Sequence, residues 1–163
     1  MKKIILLCIA ANLTLSVFGC SKDVEYKDSV PCDEILDAVE EQIPVNLGYE
    51  SYGGEHIKYY FDSTELDDDH SLRYSALSDD INEFGVFHAP DKESRDELLR
   101  ITEKYLDELL ADKKAFISSY APKELPKLEN AETRTYGNYV AYAILSDADK
   151  AAFFETVESM LSK

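Results

Sequence analysis

Cysteine, histidine and positive charge are all scarce in this 163-residue chain, and each shortage excludes something. Of the three cysteines, Cys8 and Cys20 stand close to the amino terminus, and Cys32 is left without a partner, so no disulfide framework is available. Cys32 reads as a small structural thiol at the start of a helix, because Asp33 and Glu34 beside it oppose a thiolate. The three histidines, His56, His70 and His88, show no paired helical spacing of the kind that holds zinc. The acidic run Asp67-Asp68-Asp69-His70 lacks the alternating ligands and the turn glycine of a calcium loop, and reads as a solvated turn. There is no Gly-x-Ser-x-Gly elbow and no cysteine–histidine signature. The sequence therefore assigns no catalytic residue, no metal ligand and no cofactor. Lys and Arg number 17 against 33 Asp and Glu, a net charge of −16. Nucleic acid is excluded as a partner, since binding it requires cations that replace condensed counterions.

Long apolar runs are also missing. The stretch from Ile4 to Phe18 falls short of the roughly 20 residues that cross a hydrocarbon core, and Asn12, Thr14 and Ser16 dilute it. Preceded by Met1-Lys2-Lys3 and closed by Val17-Phe18-Gly19-Cys20, it has the arrangement of a lipoprotein signal over residues 1–19. Cleavage before Cys20 would leave that cysteine to carry a diacylglycerol, an anchor strong enough to hold a protein on a bilayer. The expected location is the extracytoplasmic face of the cell membrane. Loss of the leader takes Lys2 and Lys3 with it and leaves 15 basic against 33 acidic residues, a net charge of −18. Such a charge is repelled by anionic lipid and holds the domain off the surface that anchors it.

What is present is enough for one folded domain. Hydrophobic residues make up 45% and there are 11 Tyr, far from the profile of a disordered chain. Residues 20–30 are polar and charged and read as a lipidated tether, leaving 31–163 as the domain. Ile35, Leu36, Val39 and Ile43 recur at helical spacing between Pro31 and Pro44. Leu72–Leu77 and Glu83–Ala89 read as two strands followed by a long helix, started by Asp91 or by a Ser94/Glu97 capping box and ended by Pro122. Leu98, Ile101, Tyr105, Leu109, Phe116 and Tyr120 mark its expected buried stripe. Ala131–Tyr136 and Tyr139–Leu145 form a second strand pair across Gly137-Asn138, a type II′ hairpin signal, with a helix over Asp147–Leu161. Tyr59–Leu66 fits either a short helix or an extended piece. The expected fold is α+β: an antiparallel sheet of about four strands covered by helices, with a repeated ββα unit.

Several words in this layout stand together: Glu83-Phe84-Gly85-Val86-Phe87, Phe116 through Tyr120 to Pro122, Lys127-Leu128-Glu129-Asn130-Ala131, and Gly137-Asn138-Tyr139-Val140-Ala141-Tyr142. In this order the chain resembles a family of small Gram-positive lipoproteins known as a domain of unknown function. The resemblance spans roughly residues 80–150, including Ser146-Asp147-Ala148-Asp149-Lys150, and the first helix loosely. It implies a lysine where His88 stands here, and it supplies a compartment and domain limits but no catalytic residues.

Tyrosine is the remaining clue to function, because its ring offers contact area with a polar tip at modest entropy cost. Tyr49 and Tyr52, with His56, fall among Gly48, Gly53 and Gly54, in a loop suited to presenting side chains. These three are the expected partner-contact residues, and Cys20 is the expected lipidation site. The function read from the sequence is a lipid-anchored binding or accessory module of the cell envelope, its protein or ligand partner unidentified; the alternative is an envelope enzyme. An enzyme would gather a His or a carboxylate pair in a pocket, and a binding module would show an open aromatic patch.

Overall fold

The computed structural model describes residues 24–43, 48–52, 57, 61 and 69–163. Helix α1 spans Cys32–Gln42 and strand β1 Tyr49–Ser51; strands β2 (His70–Ser75) and β3 (Glu83–His88) lead into helix α2 (Lys92–Tyr120). The short helix α3 (Leu125–Glu129), strands β4 (Glu132–Tyr136) and β5 (Tyr139–Ile144) and helix α4 (Asp147–Leu161) complete the order. Among the described residues five strands form one antiparallel sheet in the order β1-β2-β3-β5-β4. The α+β architecture is as the sequence patterns imply, with β1 added at one edge. β2 begins two residues earlier than its apolar pattern implies, because the Asp69 carbonyl accepts from the His88 N–H and extends the ladder.

Alternation along the central strands explains the layers. Phe84, Val86, Tyr139, Ala141 and Ala143 point to one face, where α1 and α4 bury Ile35, Leu36, Val39, Phe153, Phe154, Val157 and Leu161. Phe87, Leu72, Val140, Tyr142 and Ile144 point to the other, where α2 brings Leu98, Tyr105, Leu106 and Ile117, joined by buried Ile57 and Phe61. The ββα order recurs, but its two helices cover opposite faces, so the repeat is one of order and not of arrangement.

Local chemistry sets the element ends. Asp91 caps α2 by accepting from Ser94 N at 2.9 Å, and Ser146 caps α4 by accepting from Asp149 N at 3.2 Å. Pro31 gives α1 no side-chain cap; Asp69, far along the chain, accepts from Cys32 N at 2.9 Å instead. Thus Asp69, within the acidic run, caps a helix, while Asp67 and Asp68 lie outside the described residues. Cys32 is buried, and burial followed by the Asp69 charge pushes its thiol well up. Gly137 has φ +59°, the positive value that the tight hairpin turns, types I′ and II′, place at their first central residue, and Tyr136 pairs with Tyr139 across it.

α2 departs from expectation at its far end. Leu98, Tyr105 and Leu106 are buried, whereas Phe116 and Tyr120 are 61% and 78% exposed and lie against each other with ring centroids 4.7 Å apart. The reason is length: at 1.5 Å per residue a 29-residue helix runs on the order of 43 Å, about twice the reach of a six-residue strand. Its last turns stand clear of the sheet on the Phe116–Tyr120 side, while Ile117 stays buried.

The segment read as tether meets the domain at Tyr26, which bridges to Ser162 while Lys27 N donates to the Leu161 carbonyl at 2.7 Å. Val30 is clamped by Tyr139, whose hydroxyl donates to the Val30 carbonyl and accepts from its N–H, each at 2.9 Å. Asp28 contacts His88 Nε2 and Asn138 Nδ2 at 3.1 Å. These contacts gather at the end of the sheet where β3 finishes and β5 begins.

Candidate functional site

The opposite end of the sheet carries a cleft of about 300 Å³ between the β2–β3 connection and the second half of α2. Its base is one rung of the sheet: Glu50 pairs with Tyr74, Tyr74 with Glu83, and Glu83 with Ile144. Antiparallel partners share a face, so the side chains of this rung stand together on the α2 side.

Glu83 is the centre of the arrangement. It is only 7% exposed, and burying a carboxylate is costly unless its oxygens are hydrogen-bonded. Tyr105 and Tyr142 both donate to its Oε1 at 2.7 Å, and Tyr52 donates to Oε2 at 3.0 Å. These hydroxyls arrive from α2, β5 and the residue after β1, so the site exists only when the whole face is assembled. Burial, and then the Glu83 charge, hold the Tyr142 phenol well above its ordinary value, which keeps it a donor. Gly85 makes the geometry possible. It lies opposite Tyr142, and a Cβ there would come within 2.6 Å of Tyr142 Cε1 and 2.9 Å of Leu72 Cγ. Glycine lets the Tyr142 ring lie over the strand and reach Glu83 two residues away.

Aromatic rings form much of the wall. Tyr52 stacks on Tyr74 with centroids 4.3 Å apart, Tyr74 donates to Glu50 Oε2 at 2.6 Å, and Phe116 reaches the cleft from α2. At the mouth, Lys127 Nζ contacts Asp80 Oδ1 at 3.0 Å, Asn82 Oδ1 at 2.8 Å and Glu124 Oε2 at 2.6 Å. Burial works against the Lys127 charge, but the Glu124 and Asp80 carboxylates outweigh it and keep the ammonium above its ordinary value. The cluster ties α3 to the β2–β3 connection and fixes one wall of the cleft.

The residues singled out from the sequence separate. Tyr52 lies in the cleft. Tyr49 turns to the other face, where its ring packs edge-on against Phe84 at 4.8 Å. His56, Gly53, Gly54 and Cys20 lie outside the described residues, as does most of Tyr59–Leu66; Phe61 is helical and buried. His88 sits at the tether end on Asp28, with its ring against Tyr139 at 4.7 Å. Among the described residues no group of three or more His, Cys, Asp or Glu is placed to hold a metal ion. No described helix is long and apolar enough to cross a membrane. Sequence reasoning passed over Glu83, although strict alternation through Glu83, Gly85 and Phe87 puts an acid on a core-facing register.

A second polar cluster lies on the α1 side. Arg73, 7% exposed, contacts Glu40 Oε1 at 2.6 Å, Asp37 Oδ1 at 3.2 Å and Asp33 Oδ1 at 3.3 Å. Three acids spaced along one helix face hold one guanidinium, which fastens α1 to β2.

The family model for the domain of unknown function DUF4358 matches residues 44–145, and the chain belongs to that family. The match takes in the cleft with Glu83, Gly85, Tyr105 and Tyr142, and leaves α1 and α4 outside it. No curated protein and no solved structure matches the chain.

Proposed function

We propose that this DUF4358 chain is a lipid-anchored lipoprotein on the extracytoplasmic face of the cell membrane, where its domain acts as a non-catalytic binding or accessory module. The observation that carries the binding role is the aromatic cleft joined to the exposed Phe116–Tyr120 pair. Its polar groups are spent on one another: Glu83 on tyrosine hydroxyls, Asp80 on Lys127. The described histidines, His70 and His88, lie elsewhere. A surface of this kind offers aromatic stacking area held in place by an internal hydrogen-bond network, the ingredients of recognition.

The anchor reading rests on the leader and Gly19-Cys20. Cys20 stands six residues before Tyr26, where the domain is first bridged, a span of about 20 Å fully extended. The tether enters at the β3–β5 end, so the cleft end is the one directed away from the bilayer. Metabolic labelling with an alkynyl fatty acid tests the anchor: the wild-type chain takes up label and Cys20→Ala does not, and label persisting after that substitution refutes it. The binding role is tested by the double variant Phe116→Ala, Tyr120→Ala. It keeps the wild-type unfolding midpoint and loses the envelope component crosslinked to the wild type in intact cells. An unchanged crosslinking profile refutes the role.

A further inference from the structure

The walls of the cleft also specify what kind of ligand fits. We propose that the cleft takes an organic cation, a protonated amine or quaternary ammonium group carried on an apolar body. The proposal rests on the reading of this cleft as the binding site, and deepens it.

Three features converge. Tyr52, Tyr74 and Phe116 put aromatic rings on the wall, and ring faces attract cations through their quadrupole. Both rings of the stacked pair donate their hydroxyls to carboxylates, Tyr52 to Glu83 and Tyr74 to Glu50. A phenol that shares its proton with an anion has a more electron-rich face, so the hydrogen bonds that orient these rings also strengthen them as cation acceptors.

Charge points the same way. Among the described residues on the wall or bonded to it, the carboxylates of Glu50, Asp80, Glu83 and Glu124 stand against the ammonium groups of Lys113 and Lys127. The whole chain carries −16, which raises the local concentration of cations and repels anions. Ile81, Leu109, Ile117 and Leu128 supply the apolar surface for the ligand body, and about 300 Å³ admits a compact molecule.

Calorimetric titration of the full chain in non-ionic detergent tests this with benzyltrimethylammonium, choline and 3,3-dimethyl-1-butanol, the uncharged isostere of choline. Benzyltrimethylammonium is expected to bind at one site, with choline about tenfold tighter than its isostere, the preference that a desolvated cation–ring contact supplies. Phe116→Ala, at an exposed position, is expected to weaken benzyltrimethylammonium several-fold without moving the unfolding midpoint. Glu83→Gln is expected to weaken it too, and the loss is read at a denaturant-free condition where circular dichroism shows the variant folded. Equal binding of choline and its isostere overturns the cation assignment while leaving a binding cleft in place. Absence of binding by both ammonium probes overturns it as well, and a partner crosslink lost on Phe116→Ala, Tyr120→Ala then shows the module reading intact. Undiminished binding by Phe116→Ala overturns the location.

Discussion

Gly85→Ala is the sharpest perturbation of the site, because the added methyl has nowhere to go. Its Cβ would stand 2.6 Å from Tyr142 Cε1, 2.9 Å from Leu72 Cγ and 3.2 Å from the Ser71 carbonyl oxygen. The Tyr142 ring cannot give way cheaply: it is fully buried, stacked on Phe87 with Phe61 and Tyr105 close by. Overpacking a core by one methyl costs about 1–3 kcal/mol. Displacing the Tyr142 hydroxyl from a buried carboxylate adds about 1.5–3 kcal/mol, the worth of a hydrogen bond to a charged group. The sum is about 4 kcal/mol, which at a urea m-value of about 1.5–2 kcal/mol/M lowers the unfolding midpoint by about 2–2.7 M. A double-mutant cycle separates the parts, since in a Tyr142→Phe background the hydroxyl contribution is already gone and Gly85→Ala costs only the steric share. A midpoint shift below about 0.3 M for Gly85→Ala would refute the account of how Tyr142 reaches Glu83.

Gly137→Val forces a β-branched residue to φ +59° and sets its Cβ 3.1 Å from Tyr26 Cβ, so a loss of about 1–3 kcal/mol is expected in urea denaturation. Burial raises the Tyr49 and Tyr139 phenols to about 12, so the unfolded chain ionises first as pH rises. Their contribution is complete below about pH 10 and is lost towards pH 12, and Tyr139→Phe should flatten this decline in a pH series of midpoints. The Ser71 hydroxyl donates to Asp33 and, with Arg73, holds its carboxyl below the ordinary value against the opposing effect of burial. The associated stability is present above about pH 4 and is lost as pH falls further, and Asp33→Asn should reduce the acid limb of the same series.

Most of the fold was legible because its signals are local. Proline and capping residues bound the helices, and the Gly137-Asn138 turn set the register of β4 and β5. β1 was not legible, since three residues are too few to show an alternation, and it is recognised only by pairing with β2. Phe116 and Tyr120 kept helical spacing past the point where the sheet stops, and periodicity carries no knowledge of where a partner layer ends. The site was legible in part. Of the two tyrosines that the sequence singles out, Tyr52 lies in the cleft, whereas Tyr49 packs on the opposite face because an extended chain reverses sides at each residue. Glu83 escaped because an acid at the start of a strand resembles an exposed end. Its partners Tyr52, Tyr105 and Tyr142 are scattered along the chain and converge only through packing.

Glu83 also tells one strand alignment from another. β3 is apolar on both faces, so sliding it by one residue would trade Phe84 and Val86 for Gly85 and Phe87 at little hydrophobic cost. The same slide would turn the Glu83 carboxylate towards Phe153 and away from the hydroxyls that receive it. A buried charge deprived of its donors costs several kcal/mol, far more than the shuffled hydrocarbon returns. The carboxylate therefore acts as a reading-frame marker for the sheet, and the residue at the floor of the cleft is also the one that keeps β3 in step with its neighbours.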